Sequence, residues 1–85
     1  MILPTIHTNG TSAQALTDSY ADARVALEKA ISQIAKIEMN GRDYYPQGAN
    51  AWKDAVAQRD ILFSKLNEVS AALYAHEEHC ANFIK

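Results

Sequence analysis

One cysteine, two prolines and three glycines are all that 85 residues contain of the types that most constrain a backbone. Cys80 has no partner for an internal disulfide, so nothing calls for an oxidising compartment and the simplest state is a reduced thiol. A composition that is 48% hydrophobic and 21% charged argues against a disordered tail. A large charge of one sign is also missing. The formal net charge is −2 and the pI about 5.8, which excludes the broad basic field that drives duplex nucleic-acid binding. No apolar run approaches the ~20 residues that span a bilayer, and the opening MILPTIHTNG has neither a basic stretch nor a long apolar core. A soluble, cytoplasmic protein without duplex nucleic-acid or membrane partners is the expectation. Catalytic signatures are lacking as well: there is no Gly-x-Ser-x-Gly elbow, no P-loop, no dinucleotide fingerprint and no nucleophile with a base at a recognisable spacing. A non-enzymatic protein without a cofactor follows.

What is present is helical periodicity. Thr11 followed by Gln14 fits a capping box and predicts the start of a first helix over 12–40. Its apolar stripe runs Leu16, Tyr20, Ala23, Leu27, Ile31, Ile34 and Ile37, three and four residues apart, and Asn40 with Gly41 supplies a stop. A loop over 41–48 follows, with Pro46, Gly48 and Asn50 as alternative starts for a second helix over 49–84. The second stripe reads Trp52, Val56, Leu62, Phe63, Leu66, Val69, Leu73, Cys80 and then Phe83 or Ile84. No interior glycine or proline stops it, although Asn67 and Ser70 could mark a kink.

The expected fold is therefore a single all-α domain, an antiparallel two-helix hairpin with an extended N-terminal arm over 1–11. A lone hairpin buries each stripe on one side only, and a chain of this length is near the lower limit for an independent core. Ile2, Leu3 and Ile6 of the arm could cover part of the exposed flank, and a second copy would complete a homo-oligomeric helical bundle.

The break NGRDYYPQGAN, residues 40–50, carries more chemistry than a connector needs. Arg42 offers a planar fork for phosphate or carboxylate, Tyr44 and Tyr45 offer stacking faces, and Asp43 and Gln47 offer acceptors and donors for ribose or a base edge. The start of the second helix, just beyond, favours an anion. Two readings stand: these residues line a site for a small nucleotide-like ligand, or a tyrosine packs under the hairpin tip while Arg42 and Asp43 pair locally. The stretch HTNGTS, residues 7–12, reads first as a turn and helix cap. Within one hairpin it lies at the far end from the tyrosine loop. An antiparallel partner would bring His7, Asn9 or Ser12 to Arg42, Tyr44 and Tyr45 in a composite pocket.

The stretch HEEHC places His76, His79 and Cys80 at helical spacings, but its histidines are three apart and do not form the zincin pattern. Histidines near a helix C-terminus and an apolar cysteine account for it without a metal. Mixed charges at Asp18, Asp22, Arg24, Glu28, Lys29 and Lys36 read as a solvated face.

A short acidic helical hairpin with the loop GRDYYPQG resembles, in architecture, the small bacteriophage anti-defence proteins that sequester nucleotide immune signals, the sponge proteins. The loop is also similar to one in phage and prophage proteins. That resemblance implies a compact homo-oligomer in the host cytoplasm whose intersubunit pockets hold cyclic dinucleotides or cyclic ADP-ribose derivatives without cleaving them. The alternative is a protein-interaction module that blocks a host protein through the hairpin tip.

Overall fold

Ser12 sets where the first helix begins. In the computed structural model, which describes all 85 residues, its backbone is extended and its Oγ accepts from the Ala15 N–H at 3.1 Å. The cap is thus one residue later than the Thr11 box, and Gln14 turns outward to donate to Asp18 at 2.8 Å instead of reaching back. From this cap α1 runs Ala13–Ala35. Two short 3-10 turns follow, Gly41–Asp43 and Tyr45–Gln47, and then α2 runs Ala51–Ala81 without a break at Asn67 or Ser70. There are no strands. No helix is long and apolar enough to cross a membrane.

α1 ends at Ala35, five residues before the expected stop at Asn40. The last turn tightens: the N–H of Lys36 donates to the Gln33 carbonyl and that of Ile37 to Ile34, so the ladder closes without a left-handed residue. Arg59 of α2 then donates from Nη2 to the Ala35 carbonyl at 3.2 Å, a side-chain cap that comes from the other helix. Gly41 is consequently no helix terminator. α2 starts at Ala51 with Asn50 in the cap position, and it ends at Ala81, leaving Phe83 and Ile84 outside it and exposed.

The two long helices pack against each other as a hairpin. Half-buried residues trace the seam: Leu16, Tyr20, Leu27, Ile31 and Ile34 on α1, and Trp52, Val56, Phe63, Leu66 and Leu73 on α2. Arg24 ties them across, donating from Nε to Glu77 Oε2 at 2.7 Å and from Nη2 to Glu77 Oε1 at 3.2 Å. This two-pronged geometry matches guanidinium to carboxylate. The arm lies along the end of α2, where its Ile2 and Pro4 carbonyls meet His76 and His79.

The interior is small. Only Ala13 and Cys80 are buried. The molecule measures 61 × 22 × 16 Å with a radius of gyration of 18.8 Å, whereas a compact domain of this length has about 12 Å. Leu62 and Val69, expected in the stripe, are 55% and 51% exposed, and Ile37 is exposed as well. They lie on the edge of the α2 or α1 face that a single partner helix cannot reach. In the arm, Pro4 and Ile6 are half-buried, while Ile2 lies 93% exposed with only its carbonyl engaged.

Candidate functional site

The tip between the helices is built from consecutive tight turns. The N–H of Tyr44 donates to Gly41 at 2.9 Å, that of Gln47 to Tyr44 at 2.9 Å, and that of Gly48 to Tyr45 at 3.2 Å. Pro46 suits such a turn because its ring fixes φ near the helical value. Gly48 then adopts φ 124°, ψ 170°, the only positive φ in the chain, and so redirects the backbone into α2. Gly41 serves a different purpose. The Tyr45 hydroxyl lies over it, and a Cβ there would sit 2.7 Å from that oxygen.

The two tyrosines take different places. Tyr44 is half-buried with its ring 5.8 Å from that of Trp52, tilted by 46°. Such a pair contributes beyond its buried area. Tyr45 is 65% exposed. Arg42 and Asp43 are exposed and take part in neither an ion pair nor a side-chain hydrogen bond, so the local pairing of the two does not occur. Arg42 keeps its full donor capacity toward solvent.

Beside Tyr44 a shallow groove of about 390 Å³ is lined by Tyr44, Gln47, Ala51, Asp54, Ala55 and Gln58. Its lining comprises two helical alanines, one aromatic residue, two amides and a carboxylate. The structure thus brings Tyr44 and Gln47 together in one concavity. It adds Asp54 and Gln58, which lie beyond the loop in the first turns of α2 and carry no loop signature. Their spacing was the available signal: residues 51, 54, 55 and 58 repeat at three and four and so share a helical face.

His7 and Asn9 are not part of this concavity. They lie in the turn closed by the Gly10 N–H on the His7 carbonyl, with the His7 ring packed over Gly10, at the end of the hairpin where the arm meets α2. One chain does not unite them with Arg42, Tyr44 and Tyr45. A second trough of about 430 Å³ runs along α1 past Val25, Glu28, Lys29 and Lys36, but a single helix builds it and no aromatic face lines it.

The His and Cys stretch is occupied structurally. His76 Nδ1 lies 2.8 Å from the Ala72 carbonyl and its Nε2 3.2 Å from that of Ile2, while His79 Nε2 lies 2.7 Å from Pro4. Cys80 is fully buried. No three His, Cys, Asp or Glu side chains converge as a metal site would require.

Two charged groups depart from their ordinary titration. Hydrogen bonds from Arg24 hold the Glu77 carboxyl below the usual carboxylate range against an opposing effect of desolvation. Bonds to Glu77, and secondarily to Glu28, raise Arg24 further above its already high value. Both belong to the seam between the helices and not to the tip. Comparison with protein-family models, with curated proteins and with solved structures returned no match.

Proposed function

We propose that the chain is a non-enzymatic binding protein, assembled as a homo-oligomer of antiparallel hairpins, that sequesters a small nucleotide-derived signal at the hairpin tip. The observation that carries this reading is the tip groove: an aromatic face at Tyr44, amides at Gln47 and Gln58, the Asp54 carboxylate, and an uncommitted guanidinium at Arg42 on the same tip. Tyr44 stacks on a base, the amides and carboxylate take base-edge or ribose donors and acceptors, and Arg42 takes phosphate.

Antiparallel order is supported by the cross-helix contacts, since Arg24 at the middle of α1 meets Glu77 near the end of α2, while Ala35 at the end of α1 meets Arg59 near the start of α2. Assembly is supported by the thin core and the apolar side chains left bare. A groove this shallow covers only one side of a nucleotide, and a second hairpin laid antiparallel closes it, bringing His7 and Asn9 of that copy toward Arg42, Tyr44 and Tyr45.

A thermal-shift panel of cyclic di- and trinucleotides, cyclic ADP-ribose isomers, ADP-ribose, NAD and ATP tests the reading. A ligand at a hundred times its Kd adds about 2.7 kcal/mol to the folded state, enough for a clear rise in Tm. The expected result is one class of stabiliser whose effect is lost in Arg42→Ala, Tyr44→Ala and Gln58→Ala. A flat panel overturns it in favour of the protein-directed alternative, in which the exposed Tyr45 and Arg42 anchor an interface with a host protein.

A further inference from the structure

His76 faces a carbonyl oxygen with each of its ring nitrogens. Nδ1 meets Ala72 of its own helix one turn back at 2.8 Å, and Nε2 meets Ile2 of the arm at 3.2 Å. A carbonyl can only accept. A neutral imidazole carries one N–H and satisfies one of these oxygens; an imidazolium carries two and satisfies both. We propose that the N-terminal arm is a proton-sensitive latch, docked on the end of α2 when His76 carries two protons and loosened when it carries one.

The geometry decides which bond is lost. Ala72 lies in the same helix and at the shorter distance, so the single proton of a neutral ring stays on Nδ1. The lone pair of Nε2 then points at the Ile2 carbonyl, and an attractive contact becomes a repulsive one. His79 behaves differently, because only its Nε2 meets a carbonyl, that of Pro4 at 2.7 Å, and one proton is sufficient. His79 therefore holds the arm in either state, and His76 adds the pH dependence. The added bond matters because the arm has little else to hold it: Pro4 and Ile6 are half-buried, whereas Met1, Ile2, Leu3 and Thr5 are exposed.

The surrounding charges are compatible with a cationic ring. From α1, Tyr20 places its ring 4.8 Å from that of His76, tilted by 32°, and presents π density to it. Arg24, also from α1, is committed to Glu77, so the charge of the residue next to His76 on α2 is already paired. Tyr74, Glu78, His79 and Cys80 complete the titratable groups within a turn of His76 on α2, and the arm contributes His7 and the amino group of Met1, one residue before the Ile2 acceptor. Falling pH adds the second proton and tightens the arm. Rising pH removes it and frees the end of α2.

The test uses the full chain carrying Ile6→Ala, which loosens the arm so that docked and free forms are both populated. The docked-to-free ratio is read from the Leu3 methyl resonances at about pH 5.5 and about pH 8, on either side of the ordinary histidine value of about 6.5. The ratio is expected to rise about tenfold at the lower pH, the effect of one hydrogen bond from a charged donor. With His76→Phe added, the ratio becomes the same at both pH values; with His79→Phe added, docking weakens at both and the pH dependence remains. A ratio independent of pH in the presence of His76, or a pH dependence that survives His76→Phe, overturns the latch.

Discussion

Arg24 concentrates the polar energetics of the seam. It engages Glu77 with two nitrogens, reaches Glu28 on its own helix at 3.2 Å, and lies 5.7 Å above the Tyr74 ring, with its side chain only 23% exposed and that of Glu77 17%. Because the folded state holds Glu77 below its ordinary value, the pair contributes stability above that value and loses it as pH falls through the lowered one. Urea unfolding from pH 6 down to pH 3 should show wild type losing more stability below about pH 4.3, the ordinary glutamate value, than Glu77→Gln does. Parallel acid profiles for the two would contradict this. Thr17 presents the opposite case, a buried hydroxyl without a hydrogen-bond partner. Thr17→Val removes that unsatisfied group and should raise the free energy of unfolding by up to about 1 kcal/mol, whereas a loss would show that the hydroxyl is used.

The limits of α1 and α2 follow from local chemistry at some ends and from tertiary contact at others. Ser12→Ala deletes a cap and should cost about 1 kcal/mol in chemical denaturation; Thr11→Ala, adjacent but not the cap, should cost little. At the tip, Gly48 occupies backbone space that L residues avoid, so Gly48→Ala should destabilise by about 1–3 kcal/mol even though a Cβ there meets nothing within 4 Å. Gly41→Ala should instead displace the Tyr45 ring, which is free to swing, and change tyrosine fluorescence more than the midpoint. The continuity of α2 was legible in the sequence, since 31 residues without glycine or proline leave a helix no reason to stop. The end of α1 was not. Asn40 and Gly41 look like a terminator, but Arg59 caps Ala35 from the other helix, and a contact between residues so far apart leaves no local mark. The candidate site divides the same way: Tyr44 and Gln47 announce themselves in the loop, while Asp54 and Gln58 matter only because the turns bring Tyr44 onto their helical face.

A molecule 61 Å long with two buried residues has little interior of its own. Ile61, Leu62 and Val69 on α2 and Val25 on α1 remain exposed to water in the single chain. Periodicity in the sequence shows that a stripe must be buried, but not how wide the covering is, and for this reason Leu62 and Val69 read as interior and stand on its edge. The proposed assembly would cover them, and it would also close the open side of the tip groove. Leu62→Asp should accordingly weaken association and lower Tm, and with it any ligand response at the distant tip. The decisive measurement is sedimentation equilibrium of the full chain over a hundredfold range of concentration, accompanied by melting curves across the same range. A mass that is a multiple of 9.4 kDa, with a Tm that climbs with concentration, is the predicted result. A 9.4 kDa monomer that melts cooperatively at a temperature independent of concentration would contradict it.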